Sequence, residues 1–288
     1  SCLPHLPSAL HSPRETPEDA VSFQYPENFL DEVEAVARAG AEALLPFWRA
    51  LEPHEISEKS RNDLVTAADR AAEAAILARI EKRFPDHAVL AEESGWTRRD
   101  DTRPTWIVDP LDGTTNFVHG IPQFAVSVGV AVAGRVDFGV IFDPVKDDVF
   151  RAARGRGATW NNRPCSVTTR EGLSGALVAT GFPFKAHELL DSYLAIFREV
   201  FLRCKAIRRP GAAALDLAYT ACGLFDGFFE FRLSPWDLAA GSLLVEEAGG
   251  VVSDMDGSRD FFTTGDMVCG PAGVHAELLA VVASKRGV

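Results

Sequence analysis

Apolar side chains change their period several times along the chain, and the changes mark its elements. Phe29, Leu30, Val33, Val36, Ala37, Leu44 and Trp48 recur at helical spacing and predict an amphipathic helix over residues 28–50. A second helix is predicted over 67–83, with Ile76 and Ile80 on one face. Val89-Leu90-Ala91 and Trp106-Ile107-Val108 are short strand-like runs. Residues 124–132 (FAVSVGVAV) and 136–142 (VDFGVIF) flank Ala133-Gly134-Arg135, a hairpin signal. A further strand near 148–153 follows the turn at Asp143-Pro144, so the first half predicts an antiparallel sheet.

The second half alternates. Strands are expected at 176–180, 205–208 and 226–231, with helices near 187–202, 212–223 and 236–248 between and after them. Short strands near 251–253 and 267–269 lead to a helix at 273–284. Such alternation predicts a mixed, mostly parallel sheet and an α/β class. Residues 1–26 carry five prolines and no sustained period, which reads as a flexible arm rather than a signal peptide. The rest, 27–288, reads as one unit with halves of roughly 27–165 and 166–288.

Composition narrows the function. The 288 residues are 47% hydrophobic and 24% charged, as in globular proteins, and no apolar run is long enough for a membrane span. A net charge of -12 argues against a nucleic-acid surface, though not against a phosphorylated substrate held through cations. Cys2, Cys165, Cys204, Cys222 and Cys269 are odd in number and contain no CxxC, so reduced thiols and a cytoplasmic location are expected.

The acidic residues supply the chemistry. They fall in four patches: Asp63 and Asp69, Glu92-Glu93, Asp109 and Asp112, and Asp237. Three patches lie where a strand meets a turn or helix, the edge at which α/β proteins bind ligands. Each has a plain alternative. Asp69 fits a helix capping box with Thr66, Glu92-Glu93 fits solvated charge, and Asp237 fits the first turn of a helix. Pro110 to Thr115 fits an ordinary turn. Taken together, however, an apolar run ending in Asp109-Pro110-Leu111-Asp112-Gly113-Thr114-Thr115 fits carboxylates for hard cations beside backbone N–H groups for an anion. Oxygen ligands without thiolates or paired histidines suit Mg²⁺, with Mn²⁺ as a substitute. His119 is the histidine nearest the motif, and a structural or peripheral role is expected for it.

In WIVDPLDGTTNFVHG (106–120), PWDLAAGSLLVEEAGG (235–250), AEES (91–94) and DLVTAAD (63–69), in that order, the chain resembles the inositol monophosphatase family of Mg²⁺-dependent, lithium-sensitive phosphatases. The likeness spans about residues 28–285. RRPGAAALDLAYTACGLFDGFFE (208–230) is similar to the bacterial branch. The resemblance implies a layered α/β/α/β/α sandwich, a homodimer and two to three Mg²⁺ ions per site.

It also implies residue roles. Glu92, Asp109 and the Leu111 carbonyl would hold the first metal; Asp109, Asp112 and Asp237 the second; Glu92 and waters a weaker third. Asp69 and Thr114 would orient the attacking water. The Gly113 and Thr114 N–H groups would hold phosphate, while Asp112, Ala213 and Glu230 would face substrate hydroxyls. Glu93 and Lys59 would stand just behind or beside the metals. The expected activity is hydrolysis of myo-inositol monophosphate. Fructose-1,6-bisphosphate, histidinol phosphate and adenosine 3′,5′-bisphosphate are alternative substrates, and a regulatory binding protein that keeps the fold is the alternative class. Glu230 favours a polyol, because a carboxylate accepts hydrogen bonds from hydroxyls.

Overall fold

The computed structural model describes residues 25–60, 63–100, 102–184 and 186–285. Most of the expected arm, residues 1–24, lies outside the described residues, as do the side chains of Lys59 and Asp63. Helix α1 (Phe29–Leu44) is followed by 3-10 turns at Leu45–Phe47 and Pro53–Glu55. The predicted helix ran on to residue 50. It stops early because Pro46 cannot donate the next ladder bond. A hairpin, β1 (Ile56–Ser60) and β2 (Asp63–Thr66), then leads into α2 (Ala67–Arg83).

Eight strands form the first sheet: β3 (Ala88–Ala91), β4 (Gly95–Arg98), β5 (Thr105–Asp112), β6 (Ala125–Val132), β7 (Arg135–Asp143), β8 (Asp148–Ala153), β9 (Ala158–Trp160) and β10 (Arg163–Pro164). Their order is β10-β9-β8-β7-β6-β5-β3-β4. Every pair is antiparallel except β3 with β5. A short helix α3 (Thr114–Val118) joins β5 to β6.

The second sheet has the order β12-β11-β13-β15-β14. It comprises β11 (Leu177–Thr180), β12 (Ala206–Arg208), β13 (Gly227–Glu230), β14 (Val251–Ser253) and β15 (Met267–Gly270). β12, β11 and β13 run parallel, and β15 and β14 add antiparallel pairs. Its helices are α4 (Leu190–Arg203), α5 (Ala213–Ala221), α6 (Pro235–Glu247), α7 (Phe261–Thr264) and α8 (Ala272–Lys285).

Three apolar cores join five layers, the central one reaching both sheets. α1 and α2 cover one face of the first sheet through Val33, Val36, Ile76, Trp106 and Val128. α5 and α6 lie between the two sheets, around Leu215, Leu217, Leu243 and Phe228. α4 and α8 close the far face through Tyr193, Ile196, Val274 and Leu278. This is the expected α/β/α/β/α sandwich. The central layer fits because Gly129 and Gly139 stand opposite each other on β6 and β7. A Cβ on Gly129 would come within 2.7 Å of Ala239 Cβ, and one on Gly139 within 2.9 Å of Ala240 Cα, so glycines here let α6 rest on the sheet.

One expectation fails. Cys165 and Cys222 form a disulfide across 57 residues, with Cα atoms 4.7 Å apart, so the five cysteines are not all thiols. Sequence spacing could not show this, because the end of β10 and the end of α5 meet only through the sandwich. Cys204 and Cys269 are free, and Cys2 lies outside the described residues.

Candidate active site

The site starts at a fault in β5. Asp109 pairs with Ser127 and Asp112 with Ala125, so three steps on β5 match two on β6. This is a β-bulge at Pro110-Leu111, where a proline is tolerated. In a regular strand, residues three apart point to opposite faces. The extra residue cancels that alternation and turns both carboxylates to one side. Leu111 N–H donates to Asp109 Oδ1 at 2.9 Å and fixes the turn. Gly113 then takes φ +90°, where a Cβ would meet the Gln123 carbonyl at 2.9 Å, and α3 begins.

Asp237 reaches the same point from α6. One of its oxygens accepts from Ser234 N–H at 2.6 Å in a capping box. Ligand oxygens of Asp109, Asp112 and Asp237 lie within 4.8 Å of one another. Asp109 is 2% exposed and Asp112 8%. Ala213 and Ala214 N–H groups, at the start of α5, donate to the two Asp112 oxygens at 3.2 and 2.8 Å. Burial raises Asp109 well above the ordinary carboxylate range, and the charges of Glu92, Asp112 and Asp237 raise it further. Asp112 is raised well too, first by burial and then by Asp237, against the α5 donors. Crowded, desolvated carboxylates of this kind bind protons until a cation replaces them. Oxygen-only donors, buried and mutually repelling, fit a hard divalent ion.

Glu92 lines the outer pocket beside Asp109, whose pKa it raises. The turn that carries it is held by Glu73, a residue the sequence did not single out. The Glu73 carboxylate accepts from Glu93 N–H at 2.8 Å and Ser94 N–H at 3.0 Å, and the residue is 5% exposed. Glu93 itself is half-buried beside Glu92.

Asp69 is both a cap and a partner to Thr114. Its Oδ2 accepts from Thr66 N–H at 2.8 Å and Thr66 Oγ1 at 2.6 Å. Its Oδ1 lies 3.1 Å from Thr114 Oγ1, which also reaches the Leu111 carbonyl at 3.0 Å. One hydroxyl proton can serve only one of those acceptors at a time. Asp69 is fully buried, and burial raises its pKa against the pull of these bonds.

The outer pocket is about 430 Å³ and runs from Glu92, Asp109 and Thr114 to Glu230, Asp237 and a rim of Phe182, Phe184 and Arg209. Glu230, at the end of β13, is pushed up to about 8 by burial, with Arg209 opposing and Asp237 adding. Arg209 was also missed. Its guanidinium stands 5.6 and 5.4 Å from the ring centroids of Phe182 and Phe184. The Arg-Arg pair at 208–209 was visible in the sequence, but nothing there placed it at the pocket. Lys59 belongs to β1, with its side chain outside the described residues. His119 is exposed, away from the carboxylates, against Arg49 and Leu51.

Five layers with a bulged Asp-Pro-Leu-Asp strand facing a helix-borne aspartate define a carboxylate centre suited to hard cations and phosphate. A profile of the inositol monophosphatase family matches residues 26–287, and the chain belongs to that family. It is similar to the Nus factor SuhB of Pseudomonas aeruginosa, 46% identical over 250 residues, 85% of this chain and 92% of the relative. Among solved structures it is similar to the inositol monophosphatase of Anabaena (Nostoc) sp. PCC 7120, with TM-score 0.81 and 39% identity over 91% of this chain and 97% of that one. The extragenic suppressor protein suhB of Bartonella henselae has TM-score 0.84 and 39% identity, over 90% and 99% of the two chains.

Proposed function

We propose that the chain is a Mg²⁺-dependent phosphomonoesterase acting on a phosphorylated polyol, with myo-inositol monophosphate the leading substrate. The observation that carries this reading is the convergence of Asp109, Asp112 and Asp237 within 4.8 Å, next to the Asp69–Thr114 pair. Asp109, Asp112, Asp237, Glu92 and the Leu111 carbonyl would hold two to three Mg²⁺ ions. Bound there, the cations supply charge neutralisation for phosphate and a lower pKa for water.

The chain's own residues do the positioning that phosphoryl transfer chiefly needs. Asp69 accepts the Thr114 proton, which leaves that hydroxyl oxygen to accept from the attacking water and set its direction. Gly113 and Thr114 N–H groups serve as phosphate donors. Ala213 and Glu230 meet the hydroxyls of the leaving alcohol, where a second phosphate would face a carboxylate.

Phosphate release from inositol monophosphate, fructose-1,6-bisphosphate, histidinol phosphate and adenosine 3′,5′-bisphosphate tests the proposal. Activity should require Mg²⁺, vanish with EDTA and return on adding Mg²⁺, with inositol phosphate the best substrate. Full turnover after exhaustive chelation refutes the metal role. A homodimer is part of the same proposal. Leu190, Leu194 and Phe201 lie on one face of α4 and are 46%, 48% and 61% exposed, which supports a protein contact there.

The relatives' name, Nus factor, favours a second reading, a binding role that does not depend on turnover. A pull-down with an inactive Asp109→Asn protein separates the two: partners retained by it support binding as a distinct function. Among the described residues no helix is long and apolar enough to cross a membrane.

A further inference from the structure

The metal-facing pocket continues inward. Behind it lies a cavity of about 120 Å³, bounded by Asp112, Thr180, Arg209, Ala213, Asp216 and Glu230. One water needs only roughly 10–15 Å³ of such space, so the cavity can take the edge of a small molecule. Asp216 stands in the first turns of α5 and is 1% exposed. Its Oδ1 is buried with no hydrogen-bond partner. A carboxylate oxygen in that state is costly to a fold. The positive end of α5 favours an acid nearby, but it does not supply Oδ1 with a donor. Arg209, the cation of the cavity wall, stacks on Phe182 and Phe184 and leaves Oδ1 bare.

We infer that Asp216 is a further specificity-determining residue, whose Oδ1 accepts a hydrogen bond from a hydroxyl of the substrate's alcohol portion in the inner cavity. The inference rests on the phosphatase reading above. Glu230 and Asp216 then face the alcohol from two walls of one cavity, and both ask it for donors. A polyol ring supplies them; an aryl group does not, and an anionic substituent would meet two carboxylates. Burial raises the proton affinity of Asp216, helped by Glu230 and Asp112 and opposed by Arg209. The assignment holds in either protonation state, because a protonated carboxyl keeps acceptor capacity.

The test compares Asp216→Ala and Asp216→Asn with the wild type on inositol monophosphate and on p-nitrophenyl phosphate, with Mg²⁺ present. Asp216→Ala should lower kcat/KM for inositol phosphate about tenfold or more, mainly through KM, with the aryl ester changed less than about twofold. Asp216→Asn keeps a carbonyl oxygen and should recover most of that loss. Both variants should melt at or above the wild-type temperature, since an unpartnered buried carboxylate is gone. Equal losses on both esters, unchanged inositol phosphate kinetics in Asp216→Ala, or a lower melting temperature in both variants would each overturn the assignment. A wild type that hydrolyses neither ester defeats the phosphatase reading and this inference with it. An active wild type with equal losses defeats the Asp216 role alone.

Discussion

Replacing Glu230 with Gln should change how the metal-free protein responds to pH. Glu230 is partly buried at the pocket wall, and its pKa is pushed up to about 8. In the unfolded chain it would titrate near the ordinary glutamate value of about 4.3. A raised carboxylate makes the folded state bind more protons than the unfolded one. Its contribution to stability is therefore complete below about pH 4 and is lost as pH rises through about 8. Over pH 5 to 9 the loss is about 4 kcal/mol, roughly 3 of it by pH 7. Partial access to water makes these figures ceilings. Gln does not ionise, so Glu230→Gln should escape this term. Thermal melts of both proteins in EDTA, from pH 5 to 9, measure it without reference to any constant offset. The gap in melting temperature should widen in favour of the variant by several degrees, at about 2–4 °C per kcal/mol. Mg²⁺ at saturating concentration should shrink the gap, because cations beside Asp112 and Asp237 favour ionised Glu230. Parallel melting curves across the whole range would show that Glu230 is not held above its ordinary pKa, and the argument would fail.

Asp109→Asn should remove nearly all turnover yet raise the melting temperature in EDTA, since it takes one charge from a buried cluster; near-normal turnover with Mg²⁺ would remove Asp109 from the metal site. Thr114→Ala should lower kcat by roughly 10²–10⁴-fold at little cost in stability. Asp69→Asn should lose turnover similarly, plus about 1 kcal/mol of cap, and the double variant should be no slower than the worse single; a fully active but destabilised Asp69→Asn would leave Asp69 as a cap alone. Gly181→Ala should act through Glu230: the new Cβ would collide with the Glu230 carboxylate, which must swing away. Inositol phosphate turnover should drop while aryl phosphate turnover holds, and equal effects on both would show that Glu230 does not sort substrates.

Some of this was legible in the chain and some was not, for identifiable reasons. α2 was read with its observed bounds, 67–83, because Thr66 and Asp69 announce its start. The Asp-Pro-Leu-Asp carboxylates were visible as a group, since proline and glycine bracket them. Their shared direction was not, because it depends on a bulge that pairing with β6 creates. Strands β1, β2, β4, β9 and β10 were missed: each has five residues or fewer, too short to establish a period of two, and β4 and β10 bury no residue. Glu73, Arg209 and Asp216 sit on helices or loops whose own patterns look ordinary. Only tertiary structure brings Glu73 under the Glu92 turn, or sets Arg209 and Asp216 around one cavity. The capping box likewise offered two roles for Asp69 as rivals, whereas the geometry gives one oxygen to each.

The central layer explains how so many carboxyl groups are gathered at one point. Asp112 accepts the first N–H groups of α5, and Asp237 lies in the first turn of α6. Two helix N-termini thus face one carboxylate cluster, each supplying unsatisfied donors and the positive end of a dipole. α6 is held on the first sheet by its contact with Gly129 and Gly139, and α5 packs on α6 through Leu217 against Gly241. The donors are fixed in place by packing far from the chemistry. A side chain added at Gly139 would meet Ala240 backbone, not a flexible tip, so α6 would have to lift from the sheet. Lifting α6 carries Asp237 away from Asp109 and Asp112. On this argument the affinity of the proposed metal site would be set in the apolar middle of the sandwich as much as by the ligands.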